Sequence, residues 1–155
     1  MAELSPGALA PGFSLQRDGG TTVELVALRG RVVVLYFYPK DDTKACTEEA
    51  IDFSRLMPAF RAADAEVFGV SADPVKKHDK FVAKHGLGVP LLSDETLDML
   101  QAYGVWVEKR MYGRAYMGIE RTTVLIGRDG RIARIWPKVK VAGHAEEVLA
   151  AARSL

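Results

Sequence analysis

Residues 36–50, YFYPKDDTKACTEEA, hold the only cysteine of the 155-residue chain, Cys46. A thiol is a nucleophile and a redox centre only as the thiolate, and a free cysteine, with a pKa of about 8.5, is only a small fraction ionised at pH 7. A helix N-terminus favours the anion twice, through its unpaired N–H groups and through the helix dipole. Thr43 is a good N-cap, which puts Cys46 in a first helical turn. Asp41, Asp42 and Glu49 act the other way, because nearby negative charge disfavours a thiolate. Glu49 lies three residues after Cys46 on the same helical face, so both need a cation, and arginine keeps its charge most reliably. The competing reading is an inert thiol packed in the core, where free cysteines are usually found.

The elements that must position this thiol are legible around it. VVVLYFY, residues 32–38, is β-branched and aromatic and apolar on both faces, as a central buried strand should be, and Pro39 ends it. Phe53, Leu56, Met57 and Phe60 then fall on one face of a 3.6-residue repeat that runs back to Cys46. Strand, loop and helix N-terminus place the thiol at the C-terminal edge of a sheet, where open α/β folds gather their ligand sites. GFSLQRDGGTTVEL predicts two short strands around a Gly-Gly turn. AEVFGVSAD predicts a strand, DPVKKHDKFVAKHG a polar-faced helix ending at Gly86, VPLLSD a strand and ETLDMLQAYG a short helix. TTVLIGRDGRIARIW predicts a hairpin whose Asp129-Gly130 pair suits a tight primed turn, and GHAEEVLAAARSL a terminal helix. The fold class is α/β: a central mixed sheet, mostly parallel, flanked by helices on both faces through right-handed crossovers. No linker or repeat divides the chain, so residues 1–155 are expected to form a single domain.

Composition narrows the function. A formal net charge of +1 gives no field to draw in nucleic acid or an acidic membrane. The run from Val32 to Tyr38 is the longest apolar stretch and is far short of the roughly 20 residues that span a bilayer. MAELSPGALAPGF has no basic patch followed by an apolar core, so no secretory signal is expected. One cysteine forms no internal disulfide, and a reducing cytoplasm is the expected setting. His78 and His85 sit seven apart on a predicted helix without a third ligand at a telling spacing, which reads as a solvated helix, not a metal site. A Cys46–His dyad would make a cysteine hydrolase, but no sequence signature supports one. VEKRMYGRAYMGIER interleaves basic and aromatic residues, and its acids favour an irregular hairpin edge over a nucleic-acid surface.

Pro39, Thr43 and Cys46 form P-x-x-x-T-x-x-C directly after VVVLYFY, a spacing that resembles the active-site motif of the peroxiredoxins. APGFSL, VFGVSADP, KFVAKHGLGVPLLSDE, YGVW, ERTTVLIGRDGRI and VKVAGHAEEVL follow in the order of the Q-type, bacterioferritin-comigratory branch. The resemblance implies a thioredoxin-like fold and thiol-dependent reduction of hydrogen peroxide and organic hydroperoxides. It implies that Cys46 is the peroxidatic cysteine and Thr43 the motif threonine. Pro39 would shield the thiolate. Arg121 would be an arginine brought from a late strand, and Glu49 an acid that holds that arginine. Read without the motif, Arg121 is a surface charge paired with Glu120, Thr43 only an N-cap and Pro39 only a strand stop. Two positions depart from the family pattern. Lys44 and Ala45 stand where Pro-Gly is common, and Ile51 stands where many members carry a second cysteine. The resemblance is therefore to the one-cysteine form, whose reducing thiol must come from outside: a small thiol, a thioredoxin-like or glutaredoxin-like protein, or another chain. No cofactor is implied, and the chain is expected to be a monomer or homodimer. The alternative function is a redox sensor or binding module of the same fold that reacts once and reports to a partner.

Magnitudes rank the demands of the chemistry. Lowering a thiol pKa from about 8.5 to about 6 raises the thiolate fraction at pH 7 roughly 30-fold, and part is lost because a less basic thiolate attacks more weakly. The larger share must come from donors aimed at the peroxide oxygens as the O–O bond breaks. The candidates are the Thr43 hydroxyl, the Arg121 guanidinium and the backbone N–H groups near Cys46.

Overall fold

The computed structural model describes residues 4–155; the first three residues of the N-terminal segment, where no leader was expected, lie outside them. The central sheet has five strands. β3 (Val32–Phe37) occupies its middle, with β4 (Ala65–Ser71) and then β5 (Leu91–Ser93) parallel on one side. On the other side β8 (Thr122–Ile126) pairs antiparallel with β3, and β9 (Ile132–Trp136) pairs antiparallel with β8. The expected mixed α/β sheet is therefore present. Two short hairpins lie outside it: β1 (Ser14–Gln16) with β2 (Thr22–Glu24), and β6 (Trp106–Met111) with β7 (Arg114–Ile119).

β3 is buried along its whole length because both faces are covered. Successive side chains point to opposite faces. Val32, Val34 and Tyr36 pack with Phe53, Met57 and Phe60 of α1 (Lys44–Ala62), with Phe81 of α2 (Val75–His85), and with Val148 and Leu149 of α4 (His144–Arg153). Val33, Leu35 and Phe37 pack with Met99 and Leu100 of α3 (Asp98–Ala102) and with the N-terminal segment.

Two expectations about turns are corrected. The β8–β9 connection is not a two-residue primed turn. It takes five residues, 127–131, closed by the Gly127 N–H donating to the Arg131 carbonyl and by a register shift at Leu125/Ile126. Asp129 spends its carboxylate on the Arg131 N–H inside this wider loop. VEKRMYGRAYMG, expected as an irregular hairpin edge, is a hairpin but a regular one, the β6–β7 ladder turning on Tyr112 and Gly113. Both of these residues have positive φ, 51° and 75°, as a type I′ turn requires.

Candidate active site

The site is built where the C-terminal end of β3 meets the start of α1. Thr43 is the N-cap, so Cys46 is the third residue of the helix and lies in its first turn. Cys46, Glu49, Ala50 and Phe53 form the buried stripe of this turn, which faces the sheet. Cys46 is 1% exposed, whereas Pro39 and Thr43 of the preceding loop are exposed.

Arg121 reaches this spot through strand register. Thr122 pairs with Phe37 at the end of the antiparallel β3–β8 ladder. Residue 121 therefore stands beside the point where β3 gives way to the cysteine-bearing loop. Its carbonyl accepts the Val139 N–H at 2.9 Å, fixing its backbone. The guanidinium divides itself between two acids. Nη2 donates to Cys46 Sγ at 3.3 Å, and Nη1 donates to Glu49 Oε1 at 2.6 Å. The cation that Cys46 and Glu49 both require is thus one arginine, 75 residues away in sequence. The reading of Arg121 as a surface charge paired with Glu120 fails on these bonds.

The electrostatics are finely balanced. Burial works against the Arg121 charge, and Glu49 and Cys46 together outweigh it, so its pKa is raised. Burial pushes the Glu49 carboxyl up to about 7, with Arg121 opposing the shift. Among the described residues, Glu49 Oε2 is buried without a hydrogen-bond partner, and so is the nearby Tyr36 hydroxyl. Burial, followed by the charges of Glu49 and Asp41, raises the Tyr36 phenol well above its usual range. Tyr36 stacks on Phe53 with ring centroids 4.5 Å apart. It lies against Gly69, where an added Cβ would stand 2.6 Å from the Tyr36 Cζ atom.

Thr43 takes its expected place but not its expected bond. Its hydroxyl donates backward to the Lys40 carbonyl at 3.0 Å instead of capping a helical N–H. Thr47 N–H donates to the Thr43 carbonyl at 2.8 Å, which closes the first turn around Cys46.

The histidines are elsewhere. His144 bonds Thr123 Oγ1 at 2.7 Å, and burial lowers its pKa. His85 bonds Asp42 at 2.8 Å. His78 is corrected outright: it is not on a solvated face but is fully buried against Asp41 and the Leu92 carbonyl. The signal was present, since His78 lies three residues before the core residue Phe81 on the same helical stripe. No histidine bonds Cys46 among the described residues, so the hydrolase dyad has no geometry behind it. The described residues also contain no group of three or more metal-ligating side chains.

Residues 6–135 match the model of the AhpC/TSA family. The chain is 49% identical over 140 residues to peroxiredoxin Bcp of Xanthomonas campestris, covering 90% of this chain and 88% of that one. It is 46% identical over 143 residues to peroxiredoxin Bcp of Bacillus subtilis, covering 92% and 91%. Among solved structures it is similar to Xylella fastidiosa PrxQ carrying a cysteine-to-serine substitution, with a TM-score of 0.93 at 40% identity over 99% of this chain and 98% of that one. The thioredoxin-like fold, the buried cysteine at a helix mouth and this likeness along nearly the whole length agree: the chain belongs to the AhpC/TSA family, among its Bcp/PrxQ peroxiredoxins, and is a thiol-dependent peroxidase.

Proposed function

We propose that this single-domain chain reduces hydrogen peroxide and organic hydroperoxides through Cys46 and is recycled by a thiol from outside the chain. The observation that carries the reading is the Arg121 guanidinium shared between Cys46 Sγ and Glu49 Oε1. The Cys46 thiolate attacks one oxygen of R–O–O–H, the O–O bond breaks, and RO⁻ leaves and takes up a proton, giving the sulfenic acid Cys–S–OH. Two electrons pass from sulfur to the peroxide. The nucleophile and the departing oxygen are both anionic, so a fixed cation beside the sulfur stabilises the charge as it moves along the S–O–O line. Arg121 supplies it, and Glu49 holds the guanidinium in place. The Thr43 hydroxyl becomes a donor to the peroxide by rotating away from the Lys40 carbonyl. Pro39, with no N–H of its own, walls the rim without competing for these donors.

An external thiol R′–SH then condenses with the sulfenic acid, releasing water and forming Cys–S–S–R′, and a second thiol frees Cys46. A small peroxide reaches a sulfur that is 1% exposed more readily than a protein thiol does. Recycling by a thioredoxin-like or glutaredoxin-like partner therefore requires the first turn of α1 to open. The single cysteine fits a reducing cytoplasm, and no helix of the described residues is long and apolar enough to cross a membrane.

Stopped-flow peroxide consumption with excess dithiothreitol tests the reading. Many equivalents should turn over, with Cys46→Ser inactive. Consumption of a single equivalent followed by arrest would replace the peroxidase with a sensor.

A further inference from the structure

The loop between β3 and α1, residues 38–43, belongs to neither element, yet Thr43 and Cys46 depend on where it sits. Asp41 is its fixed point. Asp41 is 2% exposed and is bonded from three directions. Its Oδ1 accepts the Tyr38 hydroxyl at 2.5 Å, its N–H donates to Asp73 Oδ2 at 2.8 Å, and its Oδ2 faces His78 Nδ1 at 2.6 Å. The other ring nitrogen of His78, Nε2, faces the Leu92 carbonyl at 2.9 Å. A carbonyl only accepts, so Nε2 carries a hydrogen. Where Asp41 is ionised its oxygen at Nδ1 also accepts, so Nδ1 then carries one too. In that state His78 is an imidazolium with both donors satisfied and no exposed surface. Burial disfavours that charge, and the Asp41 bond and charge outweigh it, raising the His78 pKa.

α2 also holds the residue that follows. Asp42 has a positive φ of 62° and is gripped by Lys84 Nζ at 2.6 Å and His85 Nε2 at 2.8 Å. One helix thus fixes two consecutive loop residues, one from the interior and one from the surface. Thr43, whose hydroxyl is tied to Lys40, comes directly after them.

We propose that Asp41 and His78 are positioning residues for the Cys46 reaction, a buried clamp from α2 that sets the loop so that Thr43 and Cys46 meet the peroxide in line. The inference rests on Cys46 being the reacting sulfur. The clamp touches neither sulfur nor substrate, and it acts by fixing the loop before substrate arrives. Displacing catalytic groups by about 1 Å typically costs about 100-fold in rate.

The test uses the full chain, with peroxide oxidation of Cys46 followed by stopped flow and alkylation by iodoacetamide measured in parallel. Asp41→Ala and His78→Phe should lower the second-order rate constant with peroxide by about 10- to 100-fold in protein that circular dichroism shows to be folded. Alkylation, which needs no alignment by Thr43, should change far less. Asp41→Asn keeps an acceptor for Tyr38 and presents an amide donor to a neutral His78, so it should restore most of the rate lost in Asp41→Ala. ¹⁵N spectra of the wild type should show His78 Nδ1 held in a hydrogen bond to Asp41 and Nε2 carrying a hydrogen, a result independent of whether any variant folds. Wild-type peroxide rates in folded Asp41→Ala, or a wild-type His78 ring with no hydrogen bond to Asp41, would overturn the clamp. A wild type whose Cys46 resists peroxide would instead sink the peroxidase reading on which it rests.

Discussion

Replacing Glu49 by glutamine should stabilise the protein at alkaline pH and leave its stability almost unchanged under mildly acid conditions. Glu49 is a buried carboxyl with one oxygen bonded to Arg121 and the other without a partner. Its pKa rises from 4.5 in the unfolded chain to about 7 in the folded one. A raised carboxyl pKa means that the folded state binds more protons than the unfolded state between these two values. Unfolding free energy therefore falls as pH rises through the window from 4.5 to about 7. At 1.36 kcal/mol per unit, the ionised carboxyl costs about 3 kcal/mol above the window and nothing below it. Glutamine keeps an acceptor for Arg121 Nη1 and has no charge to desolvate, so the cost disappears.

The assay is urea or thermal denaturation of reduced wild type and Glu49→Gln at matched pH values on either side of the window. Near pH 8 the variant should be more stable by about 3 kcal/mol, roughly 6–12 °C in Tm for a chain of this size. Near pH 4, below the window, the two curves should converge. His78 contributes a pH dependence of its own. Its folded pKa is raised, so its stabilisation is complete below the unfolded histidine value of 6.5 and is lost as pH rises through the folded value. That slope is common to both proteins and cancels in the difference. Stability curves that stay parallel across the window would refute the picture of Glu49 as an acid kept beside the sulfur against its own solvation. A stabilised but slower Glu49→Gln enzyme would show that the protein carries this cost for the sake of a rigid guanidinium.

Arg121→Ala should lower the peroxide rate constant by about 100- to 1000-fold, the usual effect of deleting one donor aimed at developing charge, as read by stopped flow. Arg121→Lys should recover little of this, because one ammonium cannot span Cys46 and Glu49 as the planar fork does; recovery to wild-type rates would mean that charge alone suffices. Gly69→Ala should destabilise by about 1–3 kcal/mol in urea, because the new methyl meets the buried Tyr36 ring at 2.6 Å; an unchanged midpoint would show that Tyr36 moves freely. Ile51→Cys, at a position 44% exposed, should be accepted without loss of stability. Its sulfur starts about 7.5 Å of axial rise from Cys46 along α1, beyond the reach of a disulfide. A peroxide-treated Ile51→Cys protein lighter by two hydrogens in mass spectrometry would therefore report opening of the first turn, whereas a persistent sulfenic or sulfinic acid would show that the helix stays closed.

The site divides into a part written locally and a part written by topology, and only the first is legible without comparison. Cys46 and Glu49 lie three residues apart on one helical face, and Thr43 sits at the cap, so periodicity and capping rules locate all three. β3 announces itself within the apolar run 32–38, the pattern of a strand covered on both faces. Arg121 has no such local mark. Its place beside Cys46 follows from the pairing of Thr122 with Phe37, a register between strands more than eighty residues apart, and only resemblance to a family points to it beforehand. Asp41 and His78 are hidden for a related reason. A charged pair in a polar-looking loop and helix reads as solvated until the packing of α2 beside β5 removes the water and leaves each group only the other, Tyr38 and the Leu92 carbonyl as partners. The direction of the Thr43 hydroxyl lies below the resolution of any sequence rule, since N-cap and back-bonded rotamers suit the same residue. Local chemistry thus prescribes that a thiol at this spot needs a cation, and the β3–β8 register decides which cation answers. A chain that kept the P-x-x-x-T-x-x-C spacing but slipped that ladder by one residue would turn the Arg121 side chain to the opposite face of the sheet and leave Cys46 and Glu49 to repel each other.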